Sequence, residues 1–403
     1  MKKILFVINT MGLAGAEVAL LELLRRIDKS EYEISLFVMT GQGELAAKIP
    51  EGVKLLNEKY NYSPVHDKQG RKILRKSVIK ALFKRANIIR LFPYLLGNFV
   101  KMLFSGRILP DKLLWRVISD GAIRFEKEYD LAVSYIEGAS AYYVSDHVNA
   151  KKKAAFVHID YDLAGYTRKL DRDCYLTFDK IFAVSGEVRD VFVKRYPECL
   201  ARTDIFYNII DVEGIREKAN EPLCLEDLTK TADNNVKTLM TIGRLTEQKA
   251  FDISIEACRL IREKGCDIRW LVLGDGPCRD RLTRLVEEKG LKDIFILCGA
   301  VENPYPYLKQ SDIYVHCSRY EGKSIAVQEA QILKRPIIVS DCSGNREQVT
   351  DGVDGLVCEL TPEGIANAVL ELLYDEKKCA LFAAEEEKKN QETGRNINKL
   401  LEL

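Results

Sequence analysis

Apolar runs of four to six residues recur along this chain, and stretches of helical periodicity stand between them. This alternation constrains the fold more than any other feature. Strands joined through crossover helices lie parallel, and a parallel sheet is covered by helices on both faces. Its strands therefore read as unbroken apolar runs rather than alternating ones. In the first half the runs are Ile4–Ile8, Ile34–Met39, Leu131–Tyr135, Lys153–His158, Ile181–Ser185 and Asp204–Tyr207. Leucines at helical spacing fill Glu17 to Ile27. The second half repeats the scheme, with strands at Thr238–Ile242, Arg269–Leu273, Ile294–Cys298, Ile313–His316, Pro336–Ser340 and Gly355–Cys358. Helical patterns fall at Phe251–Lys264, Arg279–Lys289, Tyr305–Gln310, Ser324–Leu333 and Pro362–Leu373. The prediction is an α/β chain of two Rossmann-like, doubly wound parallel-sheet domains facing a central cleft, where ligands of open α/β sheets sit. At 403 residues the chain is too long for one core. A polar stretch, Asn208–Asn235, is broken by Pro222 and separates domains 1–207 and 208–385, leaving 386–403 as a terminal helix.

Composition narrows the class. A formal net charge of +1 argues against a chain basic throughout, and no nucleic-acid recognition motif is present. The eleven cysteines all lie from Cys174 onward, without Cys-x-x-Cys or metal-ligand spacing. Cys258, Cys298, Cys317 and Cys358 read as small buried hydrophobes, so no structural zinc is expected. The opening MKKILFVINTMGLAGA imitates a signal peptide. Its apolar run, Ile4–Ile8, falls short of the ~7–15 residues such a segment needs, and a cytoplasmic, unprocessed chain is expected.

One segment departs from the alternation. Within an insertion at about 66–128, eleven cations stand between Lys68 and Arg107, and Asp67 is the sole acid from His66 to Arg107. Apolar and aromatic residues interleave, among them Leu91-Phe92-Pro93-Tyr94-Leu95-Leu96. Charges and Pro93 interrupt the stretch too often for a membrane-spanning helix. A basic amphipathic segment suits an anionic membrane surface. A helical hairpin packed on the first domain, its lysines solvated, has the same composition.

The chemistry concentrates in Ser318–Glu329, SRYEGKSIAVQE. Glu321 and Glu329 stand eight positions apart across a glycine loop that opens into a helix, a little over two turns. The amides of Lys323 and Ser324 lie at that helix start, which favours an anion. Two carboxylates beside an anion site suit a ligand hydroxylated at both ends and phosphorylated between, such as a nucleotide sugar. Glutamates on a solvated helix make the same pattern. Upstream, Gly243-Arg244 follows a strand and Lys249 comes five residues later, placing two cations where a diphosphate can be clamped. Gly274-Asp275-Gly276-Pro277 is a tight turn after the next strand, and Cys298-Gly299-Ala300-Val301 ends the one after it.

Taken in order, these residues resemble retaining glycosyltransferases of family 4, with the GT-B fold. The likeness extends over nearly the whole chain: Gly12–Glu17, Asn208–Asp211, Gly243-Arg244 with Lys249, Gly274–Pro277, Glu321-Gly322 through Glu329, Gly344–Glu347, and Asp351-Gly352 with Asp354-Gly355. The resemblance implies a nucleotide-sugar donor, a UDP-sugar first of all, and a lipid-linked or oligosaccharide acceptor. It implies transfer with retention and no cofactor or metal. Arg244 and Lys249 would hold the diphosphate, and Glu321 the hydroxyls of the donor sugar. The amides after Gly322, at Lys323 and Ser324, would meet the diphosphate, and Glu329 the ribose. Gly15 would admit backbone to the reacting centre, and His158 would face the donor sugar. Gly243, Gly274, Asp275, Gly276 and Val301 would complete the donor site. A terminal helix, here Glu385–Leu403, would cross back to the first domain.

Two positions depart from the family pattern. Ala14-Gly15 replaces a glycine pair, and Lys323-Ser324 replaces a frequent aromatic and proline. The second variant looks like transferases of capsule and exopolysaccharide clusters, peripheral on the inner face of the membrane. The competing expectations are a GT-B nucleotide-sugar epimerase or hydrolase, a two-domain dehydrogenase and a two-lobed sugar receptor. No strand is followed by Gly-x-Gly-x-x-Gly, which counts against the dehydrogenase.

Overall fold

A computed structural model describes the chain except residues 66–67, 85–86, 105, 107–108, 224–235 and 390–395. Arg85 and Arg107 of the basic stretch, the linker from 224 to 235 and part of the C-terminal segment thus lie outside the described residues. The chain divides into two compact units, Met1–Ile209 with Gly394–Leu403, and Ile210–Thr393.

The first unit is built on seven parallel strands. They are β1 (Lys2–Ile8), β2 (Tyr32–Val38), β3 (Val53–Leu55), β4 (Tyr129–Ser134), β5 (Ala150–Val157), β6 (Lys180–Ala183) and β7 (Thr203–Ile205), in the order β3-β2-β1-β4-β5-β6-β7. Each apolar run expected as a strand is one. β3, only three residues with two of them half-buried, left no apolar run to read. Ile4 pairs Ile34 on one side and Leu131 on the other, so β1 is central and buried on both faces. The helices are α1 (Gly15–Arg26), α2 (Lys68–Phe83), α3 (Asn87–Phe104), α4 (Pro110–Gly121), α5 (Ala139–His147), the one-turn α6 (Arg168–Asp171) and α7 (Gly186–Arg195).

The insertion between β3 and β4 is the helical set α2–α4, anchored by polar bonds as well as apolar contact. Arg116 on α4 is buried, donates from Nη2 to the Asp171 carbonyl at 2.9 Å and pairs with Asp146 at 2.5 Å. Asp171 in turn accepts from the Tyr142 hydroxyl at 2.7 Å and from Tyr161. On α3, the Tyr94 hydroxyl donates to the Leu170 carbonyl at 3.0 Å. These bonds satisfy groups that would be costly to bury alone.

The second unit carries six parallel strands: β8 (Lys237–Ile242), β9 (Ile268–Leu273), β10 (Phe295–Gly299), β11 (Ile313–His316), β12 (Ile337–Ser340) and β13 (Leu356–Cys358), ordered β10-β9-β8-β11-β12-β13. At its centre Trp270 is fully buried. Its indole N–H donates to Thr241 Oγ1 at 2.9 Å, and Thr241 donates on to the Val315 carbonyl at 2.7 Å, tying β9 to β8 and β11. Cys258, Cys317 and Cys358 are buried as expected, whereas Cys298 is half-buried because it points out of a strand at the sheet edge. The C-terminal helix Ile397–Leu401 packs in the first unit, with Leu400 fully buried and Lys399 Nζ 3.3 Å from the Ile205 carbonyl.

Both sheets reverse their strand order once, between β1 and β4 in the first unit and between β8 and β11 in the second. The crevice at the carboxyl ends of such a pair is where this class of sheet holds ligands.

Candidate active site

The loops after β8 and β11, on either side of the second switch point, are pinned to each other. The Arg319 N–H donates to the Gln248 carbonyl at 2.7 Å, and Gln248 Nε2 donates to the Tyr320 carbonyl at 2.9 Å. Arg319 also forms a two-pronged pair with Asp252, at 3.2 and 2.8 Å. The pairing brings Lys249 and Glu321 together, with Nζ 2.5 Å from Oε1.

Glu321 is buried and has three side-chain partners at Oε1: Lys249, the Ser318 hydroxyl at 2.5 Å and His316 Nε2 at 3.3 Å. Burial pushes its carboxyl upward, but the Lys249 ammonium and His316 outweigh that and hold it well below the usual carboxylate range. His316 is also 3.2 Å from Lys249 Nζ, and its Nδ1 lies 3.1 Å from the Tyr314 hydroxyl. Burial and the neighbouring ammonium lower its pKa, against the pull of Glu321, so the imidazole is neutral. Lysine has three N–H donors. One goes to Glu321 and at most one to His316 Nε2, which as a neutral nitrogen either accepts from Lys249 or donates to Glu321, so at least one is left for a ligand oxygen.

Glu329 lies on the helix Ile325–Ile332 and is buried too, accepting from the Tyr305 hydroxyl at 2.9 Å. Burial pushes its carboxyl up to about 7, against that hydrogen bond. Neither glutamate is a solvated surface residue. Both carboxylates bear electrostatically on the buried Tyr314.

Packing explains several residues first read as ligand contacts. Gly274 stands at φ +149°, and a Cβ there would fall 2.0 Å from the Gly243 carbonyl oxygen; at Gly344, with φ +64°, it would fall 2.1 Å from that of Gly322. The glycines let the loops after β8 and β11 be backed by other backbone. Asp275 caps its own turn, accepting from the Gly276 N–H at 2.7 Å, and lies 3.7 Å from Arg279. The Ser324 amide, expected to face a diphosphate, instead donates to Gln348 Oε1 at 2.7 Å, while Gln348 Nε2 returns a bond to the Ser324 carbonyl at 2.8 Å. Ser324 is the N-cap of its helix, so this exchange fixes where the helix starts. Arg244 is exposed at the loop after β8, and Val301 is half-buried after β10. Lys323 is half-buried in the turn beside Glu321.

Gly15 and His158 belong to the first unit and the remaining assigned residues to the second. Gly15 opens α1 after the extended Ala14. At the first switch point, Asn9 donates to the Glu137 carbonyl at 2.7 Å and accepts from the Ser140 N–H at 2.9 Å. The buried Glu137 carboxylate accepts from the N–H groups of His158 and Ile159, the latter at 3.0 Å. Burial pushes that carboxyl up to about 7, against these backbone bonds. His158 sits between Tyr135 and Phe156, with ring centroids at 5.1 and 6.0 Å, and its Nε2 is buried without a hydrogen-bond partner in the unit. Burial drops its pKa to about 4, against a hydrogen bond to the Tyr135 backbone.

Sequence reasoning missed His316, Ser318, Tyr305 and Glu137. His316 and Glu137 were detectable: each lies at or just past the carboxyl end of a strand beside a switch point. Among the described residues, the group with metal-ligand spacing is Asp120, Asp146 and His147. Its carboxylates already face Arg90 at 2.9 Å and Arg116 at 2.5 Å, with His147 3.2 Å from Asp120, so the charges balance as an ion-pair network.

Full-length superposition relates the chain to Anabaena HepE, solved in complex with UDP-glucose: TM-score 0.69 at 16 % identity, covering 100 % of both chains. The architecture is GT-B. Residues 228–389, almost all of the second GT-B unit, match the family model described as glycosyl transferases group 1. Over 194 residues the chain is 28 % identical to the N-acetylgalactosamine-N,N'-diacetylbacillosaminyl-diphospho-undecaprenol 4-alpha-N-acetylgalactosaminyltransferase of Campylobacter jejuni, covering 48 % of this chain and 50 % of that one. It is also 28 % identical over 214 residues to a putative colanic acid biosynthesis glycosyltransferase of Salmonella typhimurium, covering 48 % and 52 %. The chain thus spans about half the length of these curated relatives.

Proposed function

We propose that this GT-B chain is a retaining glycosyltransferase of family 4 that moves one sugar from a UDP-sugar to a lipid-linked glycan, in cell-surface polysaccharide synthesis at the cytoplasmic face of the membrane. The observation that carries it is the buried Lys249–Glu321–His316 cluster at the switch point of the second sheet. A carboxylate held ionised in a buried site is suited to accept sugar hydroxyls. The ammonium beside it has a donor left for a phosphate oxygen, and Arg244 stands on the same loop. The comparisons support the reading: a family model of sugar transferases on this unit, a UDP-glucose complex in the same fold, and a relative whose name specifies a diphospho-undecaprenol acceptor.

In the reaction, the bond from the anomeric carbon to the diphosphate oxygen breaks, and the acceptor oxygen bonds to that carbon on the same face. The acceptor's proton passes to the departing phosphate. Lys249 and Arg244 neutralise the leaving group, the task a divalent cation performs elsewhere. Sugar hydroxyls take over Glu321 from Lys249 as the donor binds. His158 presents its unpartnered Nε2 to the sugar, and Glu329 takes the ribose hydroxyls.

Purified protein incubated with a panel of UDP-sugars, with and without a polyprenyl-diphosphate-linked acceptor and with excess chelator, tests this. The expected product is the acceptor plus one hexose mass, with the donor's anomeric configuration, formed equally with chelator. Acceptor-independent epimerisation or hydrolysis would overturn the proposal.

A further inference from the structure

The face that α3 turns away from the first unit is apolar. Leu91, Tyr94, Asn98 and Met102 point inward and are buried, while Ile89, Phe92, Leu96, Phe99 and Leu103 are 42–76 % exposed. Their spacing of three and four residues puts them on one stripe, about 21 Å long at the helical rise. Phe83 at the end of α2 is 69 % exposed as well. Single exposed apolar residues need no explanation, but a contiguous row of this size marks a contact surface. No helix among the described residues is long and apolar enough to cross a membrane.

Charge selects the occupant. Lys72, Arg75, Lys76 and Lys80 on α2 and Lys101 on α3 are exposed, and the sequence holds no acidic residue between Asp67 and Asp111. On α2, Lys72 and Lys76 share a face with Ile79 and Phe83, so cations and apolar side chains point the same way. A second copy of this face would bring two sets of lysines together without a counter-charge. Nucleic acid would satisfy the lysines but leave the stripe in water. A leaflet of anionic phospholipid satisfies both, acyl chains for the stripe and headgroups for the cations.

We propose that α3 is an insertion helix: it lies in the interface of an anionic bilayer with Phe92, Leu96 and Phe99 below the headgroups, and α2 contributes the electrostatic hold. The membrane location belongs to the functional reading above. The insertion face is measured without donor or acceptor, so it stands or fails apart from transfer.

The test is flotation of the full chain with vesicles of phosphatidylglycerol and phosphatidylcholine, against phosphatidylcholine alone, at 0.1 and 0.5 M salt. The unaltered chain should bind the anionic vesicles and keep part of that binding at 0.5 M salt. The variant Phe92→Ser/Leu96→Ser/Phe99→Ser alters only exposed positions and should melt as the unaltered chain does, yet lose the salt-resistant binding. Lys72→Ala/Lys76→Ala/Lys80→Ala should weaken low-salt binding about 100-fold. A Phe92→Trp probe should shift its emission to the blue and be quenched by brominated lipid. Vesicle binding unchanged in the serine variant would overturn the proposal. So would a dimer of the unaltered chain that the serine variant breaks, because a second copy would then own the face.

Discussion

Lys249 Nζ lies 2.5 Å from Glu321 Oε1, with Glu321 buried, Lys249 half-buried and the buried His316 closing the third side. The two residues come from different loops, seventy-two positions apart in sequence. Truncating either leaves the other charge buried without its partner, which costs about 3–5 kcal/mol. Glu321→Ala and Lys249→Ala should each abolish transfer and lower the melting temperature of the second unit. The double variant Lys249→Met/Glu321→Gln should regain most of the stability and none of the transfer. Thermal melts and turnover on the four proteins check this, and normal turnover in either single variant would refute the site assignment.

If Glu329 takes the ribose hydroxyls as proposed, donor binding should depend on pH. Its folded value of about 7 lies above the ordinary 4.5, so between those values the folded state holds a proton that the unfolded chain has lost. The stability of the buried neutral acid is therefore present below about pH 4.5 and is lost as pH rises through 7. Hydroxyl recognition has the opposite sign, because a carboxylate accepts where a neutral acid competes. UDP affinity should rise between pH 6 and 8, and Glu329→Gln should flatten that rise. Titration calorimetry across the range decides it, and a profile unaltered by the substitution would remove Glu329 from the donor site.

Gly344→Ala should be costly. The new Cβ meets the Gly322 carbonyl, and the backbone sits at φ +64°, a conformation worth about 1–3 kcal/mol against alanine before any clash. Gly352, at φ +72° with open space around it, is the control for strain alone. Gly344→Ala should destabilise more than Gly352→Ala and weaken UDP binding, since the Glu321 loop must move. Equal melting temperatures for the two variants would contradict the packing argument.

His158→Phe separates packing from chemistry. The ring is flanked by Tyr135 and Phe156, so phenylalanine fills the space, while the unpartnered Nε2 disappears. Stability should hold within about 1 kcal/mol, and transfer should fall about 100-fold or more. Full activity would assign His158 to packing. Because the imidazole stays neutral down to about pH 4, no activity step near pH 6.5 should trace to it.

The alternation of apolar runs and helical periods determined the two parallel sheets, because strands buried on both faces must be apolar along their length. It also located nearly every strand within a residue or two. What remained invisible were features whose cause lies far away in sequence. β3 is too short to carry a pattern. Nothing around Ser324 says that its amide is taken by Gln348, and nothing around Gly274 says that Gly243 lies on top of it. The apolar residues of α3 are equally apolar whether they face the core or water; only packing against α4 and Leu170 settles which row is inside. The same holds for Lys249 and Glu321. Their candidacy for a site could be read from residue type and position after a strand. Their partnership depends on β8 and β11 being neighbours, a consequence of strand order that no local pattern encodes.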